Sequence, residues 1–86
     1  MNRVRAVKSL HVQYFAAIRE ATGLREETLE SSAATAEDLY VEVAALHGLP
    51  FDRSLLRVAR NDRMVPWSAP LRDGDTVVFL TPFAGG

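Results

Sequence analysis

Between Thr35 and Pro50 the sequence specifies a helix together with both of its ends. Thr35 supplies a side-chain cap, Asp38 stands three residues on as in a capping box, and Gly48 followed by Pro50 stops the chain from continuing. Leu39, Val43 and Leu46, flanked by Val41 and Ala44, predict its buried stripe over Ala36 to His47. The rest of the chain offers mainly strands for that stripe to cover. Leu10, Val12 and Tyr14 alternate with His11 and Gln13 in a first strand, and Phe15 to Thr22 predicts a short helix closed by Gly23. Further strands are expected at Arg25 to Glu30, Leu56 to Arg60, Arg63 to Pro66 and Thr76 to Leu80, with turns at Asn61-Asp62 and Asp73-Gly74-Asp75. One substantial helix among five strands on a small chain predicts an α+β domain, a mixed sheet with one main helix packed on one face.

Composition narrows the chemistry. The 86 residues are 48% hydrophobic, enough for one compact domain that buries roughly 60% of its unfolded surface. There is no cysteine, which excludes a disulfide scaffold, a thiolate zinc site, a persulfide carrier and a cysteine nucleophile together. A net charge of -1 leaves no electrostatic footprint for nucleic acid or an anionic membrane. The basic start, Arg3, Arg5 and Lys8, is not followed by a long apolar run, so neither a signal peptide nor a membrane span is expected, and the location expected is cytoplasmic.

The last strand is apolar on both sides: Val77 and Phe79 point one way, Val78 and Leu80 the other. With one substantial helix to cover them, the second face meets either a partner or the short helix, the Pro66 to Leu71 loop and the tail. Beyond Leu80 the chain runs Thr81-Pro82-Phe83-Ala84-Gly85-Gly86. Pro82 stiffens this segment and cannot extend the ladder, and two glycines leave the α-carboxylate unshielded. Six residues reach roughly 20 Å from the domain, far enough for a buried pocket on another protein. The bland counterpart is a frayed end with Phe83 folded back on its own sheet.

These residues resemble a known family, the small sulfur-carrier subunit of molybdopterin synthase, within the ubiquitin-like β-grasp superfamily. The resemblance rests on Val12-Gln13-Tyr14-Phe15-Ala16-Ala17-Ile18-Arg19-Glu20 followed by Gly23, on the helix opened by Thr35, on Asn61 after a strand, on Leu71-Arg72-Asp73-Gly74-Asp75 and on Gly85-Gly86. It spans about Leu10 to Gly86. Members of the family carry two prolines and an aliphatic residue before the final glycines, where this chain has Thr81-Pro82-Phe83-Ala84. The resemblance implies a β-grasp domain over residues 9–81, a flexible extension over 1–8 and an extended tail over 82–86.

It also implies a mechanism in which Gly86, with Gly85 beside it, is the working residue. A ubiquitin-activating-like adenylyltransferase uses ATP to form an acyl-adenylate on Gly86, and sulfur from a donor system replaces AMP to give a thiocarboxylate. That sulfur goes to a pterin precursor inside the large synthase subunit, in a heterotetramer, for molybdenum cofactor biosynthesis. The chain itself then binds no cofactor or metal and has no turnover alone; it is the sulfur-donor subunit of a sulfurtransferase complex. Phe79, Val77, Pro82, Phe83 and Ala84 are the expected partner-binding residues. Two other readings stay open: a carrier for thiamine or amino-acid synthesis or a protein modifier, which share the tail, and a ubiquitin-like binding module whose Gly-Gly end is incidental.

Several residues have plainer roles. His11 and His47 lie far apart without a cysteine or histidine cluster around them, and Asp73 and Asp75 flank a turn glycine. Trp67, between Pro66 and Pro70, is either a partner anchor or an aromatic plug over the core edge.

Overall fold

A computed structural model describes residues 7–81. The expected tail over 82–86 and most of the expected extension therefore lie outside the described residues. The elements are β1 (Lys8–Tyr14), α1 (Ala16–Thr22), β2 (Glu26–Ser31), α2 (Ala36–His47), a short 3-10 turn (Arg53–Leu55), β3 (Arg57–Arg60), β4 (Arg63–Val65) and β5 (Thr76–Leu80). β1 starts at Lys8, opposite Ser31 of β2, so the last residue assigned to the extension is part of the sheet.

The five strands lie in the order β2-β1-β5-β3-β4. β5 sits at the centre, parallel to β1 and antiparallel to β3. A strand paired on both sides is the one that can be apolar on both faces, as Val77-Val78-Phe79-Leu80 is. α2 lies across one face of this mixed sheet: its Ala36, Leu39, Tyr40 and Val43 join Leu10, Val12, Tyr14, Val58, Val77 and Phe79 in one core, with Ile18 of α1. This is the β-grasp arrangement.

The local signals explain the ends of the elements. The Thr35 hydroxyl accepts from the Asp38 N–H at 3.2 Å, which satisfies one of the helix's orphan donors. Gly23 and Gly48 close α1 and α2 in the left-handed conformation, at φ 75 and 63. The buried stripe of α2 differs from the one expected. Tyr40 is buried, whereas Leu46 and Val41 are 59% and 63% exposed. At 100° per residue Ala36, Val43 and Tyr40 cluster tightly, and Leu46 falls at the stripe's margin, where only the position of the sheet decides its burial.

Asn61 and Asp62 both take positive φ, 50 and 72, between the paired Arg60 and Arg63. Two such residues make the two-residue turn whose twist suits a hairpin. The Asn61 side chain does more than turn the chain. Its Oδ1 accepts from the Thr76 N–H at 2.9 Å and its Nδ2 donates to Asp75 Oδ1 at 2.9 Å, which ties the hairpin to the start of β5. Asp75 Oδ2 accepts from the Arg72 N–H, and Asp73 Oδ1 from the Ser9 N–H, so both aspartates serve the turn around Gly74 at φ 87. Trp67 is the aromatic plug: it stacks on Phe79 with ring centroids 6.0 Å apart and leans on Tyr40 at 5.8 Å.

Tyr14 anchors a polar knot beneath the C-terminal end of α2. Its hydroxyl donates to Glu27, which also pairs with His47 Nε2 at 2.6 Å, and the His47 ring meets Tyr14 edge-on. Burial, then the hydrogen bond to Glu27 and its negative charge, hold the Tyr14 proton on well above the ordinary phenol range. In the unfolded chain that phenol ionises near pH 10. Since the folded value is the higher, this group's contribution is complete below about pH 10 and is lost as pH rises above it. Denaturant unfolding at pH 9, 10 and 11 is expected to show falling stability in the wild type and a shallower fall in Tyr14→Phe; parallel slopes for the two proteins would refute the assignment.

Candidate functional site

The described part of the site is the base of the tail, where β5 ends. Leu80 lies opposite Arg57 of β3, and on the other side the Phe79 carbonyl accepts from the Phe15 N–H at 3.4 Å. The chain therefore leaves the middle of the sheet with Phe15 on one flank and Arg57 on the other. Phe15 is 44% exposed, with the Arg19 guanidinium 5.5 Å from its ring centroid. Ala16, at φ 55, makes the turn into α1 that holds Phe15 there, a conformation that costs an L-residue about 1 kcal/mol. Arg57 is exposed, and its Nη1 donates to the Leu56 carbonyl at 2.9 Å.

Val77 and Phe79, expected at the partner surface, are not there. Both are fully buried in the core under α2, with Phe79 edge-on to Tyr40 at 5.4 Å. The physical reason is the pleat: α2 covers the face to which the odd-numbered residues of β5 point, because their β1 partners there are Val12 and Tyr14. The even residues occupy the opposite face. Val78 lies between Gln13 and Ala59 in the ladder, and Met64, opposite Ala59 on β4, is 59% exposed. Neither Val78 nor Leu80 belongs to the core cluster. Val78 is itself buried on that side, so the accessible part of the outer face is made by the exposed Met64 with the half-buried Ala59 and Leu80, and it runs up to the point where the tail departs.

Gly85, Gly86, Pro82, Phe83 and Ala84 lie outside the described residues. Phe15, Arg57 and Met64 were not among the expected site residues. Phe15 carried no separate signal, because the sequence reads it as the first residue of the short helix. Met64 had none either, because a three-residue strand carries too little periodicity to show its face.

The groups at the tail base, Phe15, Arg19, Arg57, Leu80 and Thr81, include no proton acceptor fit for general-base work. They suit binding: apolar area for a partner, with two guanidiniums for its acidic residues. Among the described residues no three His, Cys, Asp or Glu side chains gather as metal ligands, and each histidine pairs with a glutamate of β2. No helix among them is long and apolar enough to cross a membrane.

The model of the ThiS family matches residues 12–86, from within β1 through both final glycines. The chain belongs to the ThiS family. It is 32% identical over 80 residues to the molybdopterin synthase sulfur carrier subunit of Haemophilus influenzae, a match covering 90% of this chain and 99% of that one. Among solved structures it is similar to a putative molybdopterin converting factor subunit 1 from Pyrococcus furiosus, at 30% identity and a TM-score of 0.73, covering 87% of this chain and 98% of that one. It is also similar to a chain of the BexX/CysO complex of Amycolatopsis orientalis, at 27% identity and a TM-score of 0.65, covering 90% of this chain and 99% of the other. As a ThiS-family member with a β-grasp fold, the chain has relatives named as sulfur carriers along nearly their whole length.

Proposed function

We propose that this ThiS-family protein is the sulfur carrier subunit of molybdopterin synthase, with Gly86 as the atom-bearing residue. An adenylyltransferase of the ubiquitin-activating type joins the Gly86 carboxylate to AMP at the expense of ATP, releasing pyrophosphate. A sulfur donor then displaces AMP, leaving a thiocarboxylate whose sulfur passes to a pterin precursor in the large subunit, within a heterotetramer. The observation that carries the reading is the 32% identity to a sulfur carrier subunit over 99% of its length, joined to a family match that runs through Gly86. A carboxylate with a pKa of about 3.3–3.7 is ionised and a poor acyl donor, which is why activation comes first and why its catalysts belong to partners.

The outer sheet face is the docking surface in this reading, in place of Val77 and Phe79. It adjoins the tail's point of departure, so a partner seated on Met64 and Leu80 would hold the tail at its own pocket. A related chain was solved within a complex, which supports docking by this fold. Burying one large apolar side chain contributes about 1.5–3 kcal/mol before association costs. Met64→Asp is therefore expected to weaken the large subunit's affinity about tenfold or more without unfolding the domain, since that side chain is mostly solvent-exposed. Titration calorimetry against the large subunit, with circular dichroism as the folding control, measures it. Unchanged affinity in both Met64→Asp and Leu80→Asp would move the interface elsewhere. Binding to a thiazole synthase rather than to the large subunit would replace the pathway while keeping the carrier role.

A further inference from the structure

A polar hollow lies at the other end of the sheet, where β3 finishes and β5 begins. It is an open depression of about 360 Å³ lined by Arg60, Asn61, Pro70, Arg72 and Asp75. The length of β5, five residues or roughly 16 Å, separates it from the tail base. Its floor is rigid: Asn61 is held by Asp75 and Thr76 through its side chain, and its own N–H donates to the Thr76 carbonyl at 2.8 Å. Asp75, only 8% exposed, has both oxygens engaged, one by Asn61 and one by the Arg72 N–H. Those donors are neutral, so its negative charge remains in the hollow and offsets part of the arginine charge there.

The walls carry more positive charge than that. Arg60 is aimed by a 2.6 Å bond from Nη1 to the Pro70 carbonyl, which uses one of its five donors. Arg72 lines the same hollow, and Arg63 stands directly opposite Arg60 in the β3–β4 ladder, on the same face. Like charges facing each other across a ladder are destabilising. Yet the ion pairs among the described residues, His11 with Glu26, His47 with Glu27 and Arg53 with Glu37, include none of these three arginines. A concave, hydrogen-bonding site with two guanidinium forks against one carboxylate keeps an excess of positive charge and suits a tetrahedral oxyanion.

We infer that this hollow is a binding site for a phosphate group, taken from free phosphate or from a nucleoside monophosphate, and that it is independent of sulfur carriage. Arg60 and Arg72 hold the phosphate oxygens, with the Asn61 amide at the floor. The cavity is wider than one phosphate, so an attached group fits. The test is a ¹⁵N–¹H NMR titration of the full chain with inorganic phosphate and, separately, adenosine monophosphate, ionic strength being held constant with sodium chloride. Saturable shifts are expected at the Asn61 side-chain amide and at the Arg72 and Thr76 N–H groups. R72Q, at an exposed side chain, and R60Q, which keeps a donor for the Pro70 carbonyl, are each expected to weaken half-saturation about fivefold. Tighter binding of the monophosphate assigns the site to a nucleotide, and equal binding assigns it to free phosphate. Shifts that stay linear, scatter over the surface or are the same in wild type and R72Q overturn the proposal.

Discussion

Deleting Gly86 is expected to abolish thiolation while leaving the fold intact. Adenylation and sulfur exchange act on one carbonyl carbon, and its reach along a partner's channel depends on residue count. Loss of one residue withdraws that carbon by about 3.3–3.6 Å, whereas a productive approach tolerates far less, and a 1 Å misplacement can cost about a hundredfold. Adding a residue after Gly86 displaces it by as much in the other direction. Gly85→Val narrows the backbone beside the reacting carbon with a β-branched side chain and is expected to slow the same step. Intact mass after incubation with the activating enzyme, ATP and a sulfur source reads the result directly. Wild type gains the difference of one sulfur for one oxygen, and the deletion and extension variants do not. A shortened chain that is thiolated and supports sulfur transfer as well as wild type would return the chain to the class of binding modules. The hollow at the opposite end of the sheet is unaffected by either result.

Phe79→Ala is expected to carry the largest stability cost in the protein. Phe79 is fully buried on the central strand, edge-on to Tyr40 and stacked under Trp67. Truncating such a side chain costs about 3–5 kcal/mol, because the lost transfer energy is joined by a cavity that rigid neighbours on three sides cannot fill. Domains have only about 5–15 kcal/mol in total, and one of 86 residues lies toward the low end. The variant is therefore expected to sit near its unfolding midpoint at physiological temperature. The chain's one tryptophan is in contact with the mutated ring, so its fluorescence in a guanidinium titration reports the loss. A cost under about 1.5 kcal/mol would mean that Phe79 is not the keystone of the core. Leu80→Asp, one residue on but on the outer face, is the matched control and is expected to stay folded.

The contrast between those two neighbours marks where sequence reasoning succeeds. Element types and most boundaries were legible, because each is written locally: Thr35 and Gly48 bracket α2, Asn61-Asp62 demands positive φ, and Gly74 sits in a turn that two aspartates satisfy. The two-sided apolar character of the last strand was equally plain, but its reason, a central position between β1 and β3, appears only in the fold. The role of Asn61 was only half visible. Its turn was legible, but its two bonds to Asp75 and Thr76 join residues about fifteen apart, which no local pattern records.

Residue order alone established a small mixed-sheet domain with one main helix, through short-range chemistry: caps, turns and strand alternation. That the segment from Thr81 to Gly86 is the working end is an expectation carried by the family resemblance. Which side of β5 faces the helix was settled by the fold. Val77-Val78-Phe79-Leu80 offers two apolar faces of similar strength, and its own alternation gives no reason to prefer one. The preference comes from β1 and β3, whose Val12, Tyr14 and Val58 share a face with Val77 and Phe79, and from α2, which covers that face. The same long-range pairing gathers Phe15, Arg57 and Met64 around the outer surface, and Arg60 and Arg72 around the hollow. Residues so far apart in sequence meet only when the strands find their register, because a sheet carries its contacts between strands and not along them.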